Sequence, residues 1–94
     1  MANQGRTEGW RGVRIVGLSV PEHLAIDVRF EDSSHLRIRF DPKRLRGDQS
    51  RLLDVSEFFR AALAGGTVVW PCGYAVDADV ARIKADEGPE WVPL

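Results

Sequence analysis

Cysteine is nearly absent: Cys72 is the only one, so no intrachain disulfide can form and nothing here requires an oxidising compartment. Long apolar runs are missing too. No stretch approaches the ~20 residues that span a bilayer. Residues 1–9 (MANQGRTEG) are polar and lack the apolar centre of a secretory signal, so they read as a frayed tail. The expected compartment is the cytoplasm, with no membrane partner. Histidine is limited to His23 and His35, and no Cys or His pair has metal-ligand spacing. Gly65-Gly66 reads as the end of a helix, so no glycine-rich loop opens a helix to hold phosphate. A Cys72–histidine nucleophile would need a geometry that sequence cannot show, and the two histidines sit at opposite ends of one strand pair. The expectation is a non-enzymatic chain with no catalytic residue, no cofactor and no metal. Charge of one sign is also lacking. The 13 basic and 14 acidic residues leave a net −1, which gives no global reason to bind nucleic acid or an anionic membrane.

What is present is globular. Ninety-four residues, 44% apolar and 29% charged, suit one domain with a single core and little stability to spare. The charge is unevenly spread. Residues 37–53 carry six basic and two acidic groups, a net +4, whereas residues 54–94 carry three and seven, a net −4.

Along the chain, VRIVGLSV (13–20) is β-branched with apolar groups on both faces, which suits a strand covered on both sides or twisted near its end. Pro21-Glu22 reads as the following turn. In LAIDVRF, Leu24, Ile26, Val28 and Phe30 alternate with Ala25, Asp27 and Arg29. LRIRF repeats the alternation, with Leu36, Ile38 and Phe40 inward and Arg37 and Arg39 outward. Two such runs around Glu31–Ser34 predict a β-hairpin. Asp41-Pro42 ends it. Leu45, Leu52 and Leu53 pin the polar connection that follows. Val55, Phe58, Phe59, Ala62 and Leu63 fall at helical spacing, with Asp54 as N-cap, Glu57 completing a capping-box pattern and Gly65-Gly66 as stop, which predicts a helix over 55–63. Thr67–Trp70 reads as a strand, Pro71-Cys72-Gly73 as a turn and Tyr74–Val76 as extended. Asp77 caps a short helix over 78–85, with Val80 and Ile83 inward. Residues 86–94 read as an irregular tail around a domain spanning 10–85. The fold class is α+β, a small two-layer sandwich in the order β-β-β-α-β-α, with a meander roofed by one main helix.

This order, the hairpin ending Phe40-Asp41, the helix entry Leu52, Asp54, Phe58 and the sequence Val69-Trp70-Pro71-Cys72-Gly73 together resemble a bacterial family catalogued as domain of unknown function 2442 (DUF2442). The resemblance covers residues 13–81. Cys72 stands where Asn is usual and Ala75 where Asp is usual; Val76, Asp77, Asp79 and Val80 match the segment that follows. The resemblance implies a small cytoplasmic protein, sometimes encoded beside a small partner in a toxin–antitoxin-like arrangement. Some relatives carry a helix-turn-helix domain for which this chain is too short, so DNA binding is not expected to carry over.

Two candidate interaction features emerge. One is basic: Arg29, Arg37 and Arg39 on the outer face of the strands, with Lys43, Arg44 and Arg46 on the connection. The other is the turn of Trp70, Pro71 and Gly73. Each has a structural alternative: charges neutralised within the surface, and a Trp70 packed into the core. Trp91, Val92 and Leu94 either fold back on the body or meet a second subunit. The sequence favours a protein-interaction module with a small protein partner, self-association being possible. The alternative is a nucleic-acid-binding regulator using the basic stretch 37–51.

Overall fold

The computed structural model describes residues 12–93. The tail read over residues 1–9, and Leu94, lie outside the described residues. Three strands form an antiparallel meander: β1 (Ile15–Glu22), β2 (Ala25–Phe30) and β3 (His35–Arg39). The alternation in β2 and β3 works as the pleat dictates. Ile26, Val28, Phe30, Leu36, Ile38 and Phe40 are all buried on one side, and Asp27, Arg29, Arg37 and Arg39 line the other. Ile26 pairs with Ile38 and Val28 with Leu36, so the register stacks like on like.

The apolar groups on both faces of β1 have a different cause from the one expected. Ile15 pairs with Phe30 and Gly17 with Arg29, so Val16 is an extra residue on the β1 side. Such a bulge re-phases the strand. Ile15 and Leu18 both turn to the core while Val16 is exposed. A second irregularity lies between Ser19 and Glu22. It accommodates Pro21 within the edge strand, where a missing N–H is tolerated. Pro21-Glu22 is therefore strand, not turn. The reversal falls at His23-Leu24, with Leu24 in the left-handed region at φ 70°.

The connection runs through short 3-10 turns at Pro42–Arg44 and Gly47–Leu53. Asp41 caps the first by accepting from the Lys43 N–H. Leu45 and Leu52 reach the core as expected, whereas Leu53 is exposed.

The predicted helix over 55–63 is a single turn, α1 (Val55–Phe58). Asp54 caps it, accepting from the Ser56 N–H, but Glu57 does not complete a capping box. Its carboxylate accepts instead from the Cys72 N–H at 2.7 Å. The helix ends with its last carbonyl satisfied from outside the helix. A continuing helix would offer the Phe58 C=O to the N–H of residue 62. Here the Trp70 indole Nε1–H donates to it at 2.8 Å, and Ala61 N–H closes a tighter turn onto it at 3.3 Å. Ala62–Ala64 then forms β4, which pairs with β5 (Thr67–Val69). Gly65-Gly66 is the two-residue turn of this hairpin, with φ of 60° and 84°. Both angles suit the turn type whose twist matches a hairpin. The Gly66 carbonyl also accepts from the Ile15 N–H, tying the hairpin to β1.

The two glycines are not equivalent. A Cβ on Gly65 meets nothing within 4 Å, whereas one on Gly66 comes within 3.0 Å of the Arg14 side chain at Cβ and Cγ. Gly65→Asn is expected to be nearly neutral, because Asn tolerates this backbone region. Gly66→Ala should cost about 1–3 kcal/mol. Urea midpoints of the two variants test this.

The longest helix is α2 (Ala78–Glu87), extending the short helix expected at 78–85. Asp77 caps it, accepting from the N–H groups of Asp79 and Val80. Its inward face is small: Ala81 is fully buried, with Ala78 and Ala85 against the core. Val80 and Ile83 point outward, contrary to the expectation. Small residues let the helix approach closely, and Arg82 lays its guanidinium over the Phe30 ring, 6.0 Å from the centroid. Within the segment expected to be an irregular tail, Glu90–Trp91 forms β6, parallel to β3 and at the edge of a sheet ordered β1-β2-β3-β6. Trp91 packs on the body of its own chain. The class is α+β, but the helix with the periodic signal is one turn and the main helix lies elsewhere. No helix among the described residues is long and apolar enough to cross a membrane.

Candidate interaction surface

The outer face of the sheet is a set of ion pairs. Asp27 and Arg37 are cross-strand partners, and the guanidinium grips the carboxylate with two bonds of 2.6 and 2.8 Å. The hydrogen bonds from Arg37 hold the Asp27 carboxyl below its ordinary pKa. Arg39 bridges Glu22 on β1 and Glu90 on β6. Two of the three arginines expected to face a partner are thus neutralised within the surface. Arg29 makes no ion pair among the described residues and lies against Gly17. Two shallow depressions flank this ladder; the larger, about 310 Å³, is lined by Asp27, Val28, His35, Leu36, Arg37 and Pro89.

A second electrostatic clamp joins the β2–β3 turn to α2. Asp32 accepts from the hydroxyl and N–H of Ser34 and from Arg82 Nε, which is 2.8 Å away. The Ser34 hydroxyl, with Arg82, holds this carboxyl at about 2. Its folded value lies below the unfolded one, so its stabilisation is present above about pH 4 and is lost as the pH falls toward about 2. Asp32→Asn should cost about 1 kcal/mol at neutral pH, given solvent screening. The gap in melting temperature between wild type and variant should close across that acidic window.

The Trp70-Pro71-Cys72-Gly73 turn is a structural clamp. Trp70 is only 3% exposed, so of its two readings the packed one holds and the surface anchor does not. Its ring meets Phe40, Phe58 and Tyr74, with centroids 5.6–5.7 Å away. Gly73, at φ 102°, closes the turn by donating its N–H to the Trp70 carbonyl. Pro71 and Gly73 are exposed. Cys72 is a half-buried free thiol. His23 bonds the Leu52 carbonyl through Nε2 and sets its ring edge-on to Phe58, while His35 lies on the far side of the hairpin arm, opposite Arg29. Among the described residues no cluster of His, Cys, Asp and Glu could hold a metal ion.

The surface that sequence reasoning missed lies between these features. Leu53, Val55, Phe59 and Leu63 are 44%, 55%, 47% and 41% exposed on one continuous run of chain. Val55 and Phe59 share one face of α1, because the Phe59 N–H donates to the Val55 carbonyl. Each had been placed in the core by its helical spacing or as an anchor of the connection. Leu53 ends the basic connection, and Val55 follows it past the capping Asp54. Of its cations, Arg44 pairs with Asp41, while Lys43, Arg46 and Arg51 make no ion pair among the described residues. Neither does Arg60, next to Phe59.

Compared with protein-family models, with curated proteins and with solved structures, the chain matches none.

Proposed function

We propose that this chain is a protein-interaction module whose docking surface is the exposed apolar run Leu53, Val55, Phe59 and Leu63, one member of a toxin–antitoxin-like regulatory pair of the kind the DUF2442 resemblance implies. One observation carries the reading. Single surface leucines are ordinary, but four large apolar side chains exposed within residues 53–63, Val55 and Phe59 on one face of α1, are more than scatter, and clustered exposed apolar groups mark contact sites. Folding does not require them outside. Phe58, one residue from Phe59, is fully buried. A covering protein would remove this surface from water, contributing about 25 cal/mol per Å² of apolar area.

The test uses the tagged full chain, purified from its native host beside Val55→Glu and Phe59→Glu. The expected result is a small protein held by the wild type and lost from both variants. The same protein, purified, should bind wild type in solution and protect the amides of residues 53–63 from hydrogen exchange. Both variants should melt within a few degrees of wild type, since exposed substitutions cost roughly 0.5 kcal/mol. Identical partners on all three proteins would refute the assignment of the surface.

A further inference from the structure

We infer that the partner docks through an acidic amphipathic segment, its apolar side chains on Val55 and Phe59 and its carboxylates on the surrounding cations. This rests on the surface assignment above and adds the chemistry of the occupant.

The argument is one of uncompensated charge. On the sheet's outer face, Arg37 and Arg39 are matched by Asp27, Glu22 and Glu90, which leaves Arg29 there without an ion pair among the described residues. On α2, Arg82 is matched by Asp32 and Asp86, and Lys84 by Glu87. Along residues 43–60 the pattern differs, and of the five cations there only Arg44 has an ion pair among the described residues. Lys43, Arg46, Arg51 and Arg60 have no ion pair among the described residues. The carboxylates nearby are largely committed: Glu57 is buried on the Cys72 N–H, and Asp54 caps α1. Asp48 is the exception. Arg51 stands two residues before Leu53 and Arg60 directly after Phe59, so both are close in the chain to Val55 and Phe59. Exposed apolar side chains with unpaired cations close by in the chain are the complement of an apolar stripe flanked by Asp and Glu. Such complementarity raises the encounter rate and suppresses wrong partners.

The same charges argue against a second copy as the occupant. A two-fold interface sets each patch against itself. The cations of one copy would then be set against the cations of the other, a like-charge arrangement that disfavours pairing. Nucleic acid would satisfy the cations but leave the phenylalanine and valine without a role unless bases stack on them.

The experiment is selection of a phage-displayed library of random short peptides on the immobilised full chain. Wild type is compared with Val55→Glu/Phe59→Glu and with Arg51→Glu/Arg60→Glu. Enriched peptides are then synthesised with fluorescein and titrated by anisotropy. The expected peptides combine Asp and Glu with large apolar residues. Replacing their acids by Asn and Gln should weaken binding about tenfold or more, as should the arginine reversals, and affinity should fall with added salt. Apolar peptides without charge bias, still lost on the Val55/Phe59 variant, would overturn the acidic partner and leave the surface assignment standing. No enrichment over that variant would overturn both. A fluorescein-labelled random oligonucleotide that binds wild type and the Val55/Phe59 variant alike, and is lost on arginine reversal, would assign the cations to nucleic acid and overturn the proposal. So would wild-type self-association in sedimentation that the Val55/Phe59 substitutions abolish.

Discussion

Phe58→Ala is expected to lower stability by about 3–5 kcal/mol, while Phe59→Ala costs about 1 kcal/mol or less. The two residues are neighbours of identical chemistry. Phe58 is 0% exposed, and its ring is ringed by His23, Phe40 and Trp70 at centroid distances of 5.4–5.8 Å. Removing it empties the point where α1, the connection and the 70–73 turn meet. The surrounding backbone is fixed by hydrogen bonds, so the cavity closes only in part. Phe59 is 47% exposed and touches the core through one edge-on contact with Phe58, at 6.2 Å. A domain of this size holds on the order of 5–15 kcal/mol in total. Each kcal/mol shifts its melting point by roughly 4–8 °C. Phe58→Ala should therefore melt at least about 12 °C below wild type, with Phe59→Ala close to it. Equal losses would mean that 55–63 is a regular helix carrying both rings inward.

The second large effect concerns Trp70. Trp70→Ala should cost about 3–5 kcal/mol, as for other buried aromatic truncations. Trp70→Phe separates packing from the hydrogen bond. It keeps a ring among Phe40, Phe58 and Tyr74 but removes the indole donor from the Phe58 carbonyl. Ala61 N–H still reaches that carbonyl, though at 3.3 Å. The cost should be about 1–3 kcal/mol, read from urea midpoints. Trp70→Phe should also keep the partner that Phe59→Glu loses. A folded Trp70→Phe protein that no longer binds would return Trp70 to the docking surface.

The proposed docking surface is half-legible in the sequence. The basic stretch was visible in the charge count, but its usable part was not. Arg37 and Arg39 looked as free as Lys43 and Arg46, since nothing local separates them. Asp27 as the partner of Arg37 follows from strand register, whereas Glu90 reaches Arg39 only because a two-residue strand returns beside β3. A strand that short has no periodicity to read. The apolar run was hidden for a different reason. The spacing of Val55, Phe59 and Leu63 fits a buried helical stripe, and Leu53 reads as an anchor of the connection, so nothing in the sequence marks them as exposed.

The hairpin of β2 and β3 needed only the chain itself. Side chains two apart must share a face of a pleated strand, Pro42 cannot extend it, and Asp77 placed ahead of Ala78 caps whatever helix follows. Residues 55–66 carried two consistent local solutions, a longer helix ended by Gly65-Gly66 or one turn followed by a hairpin through the same glycines. The choice was made at a distance, when the Trp70 indole N–H took the Phe58 carbonyl and Ile15 anchored the hairpin through Gly66. Local periodicity counts faces and cannot say which distant donors meet a carbonyl; that is settled only when residues far apart in the chain are packed together.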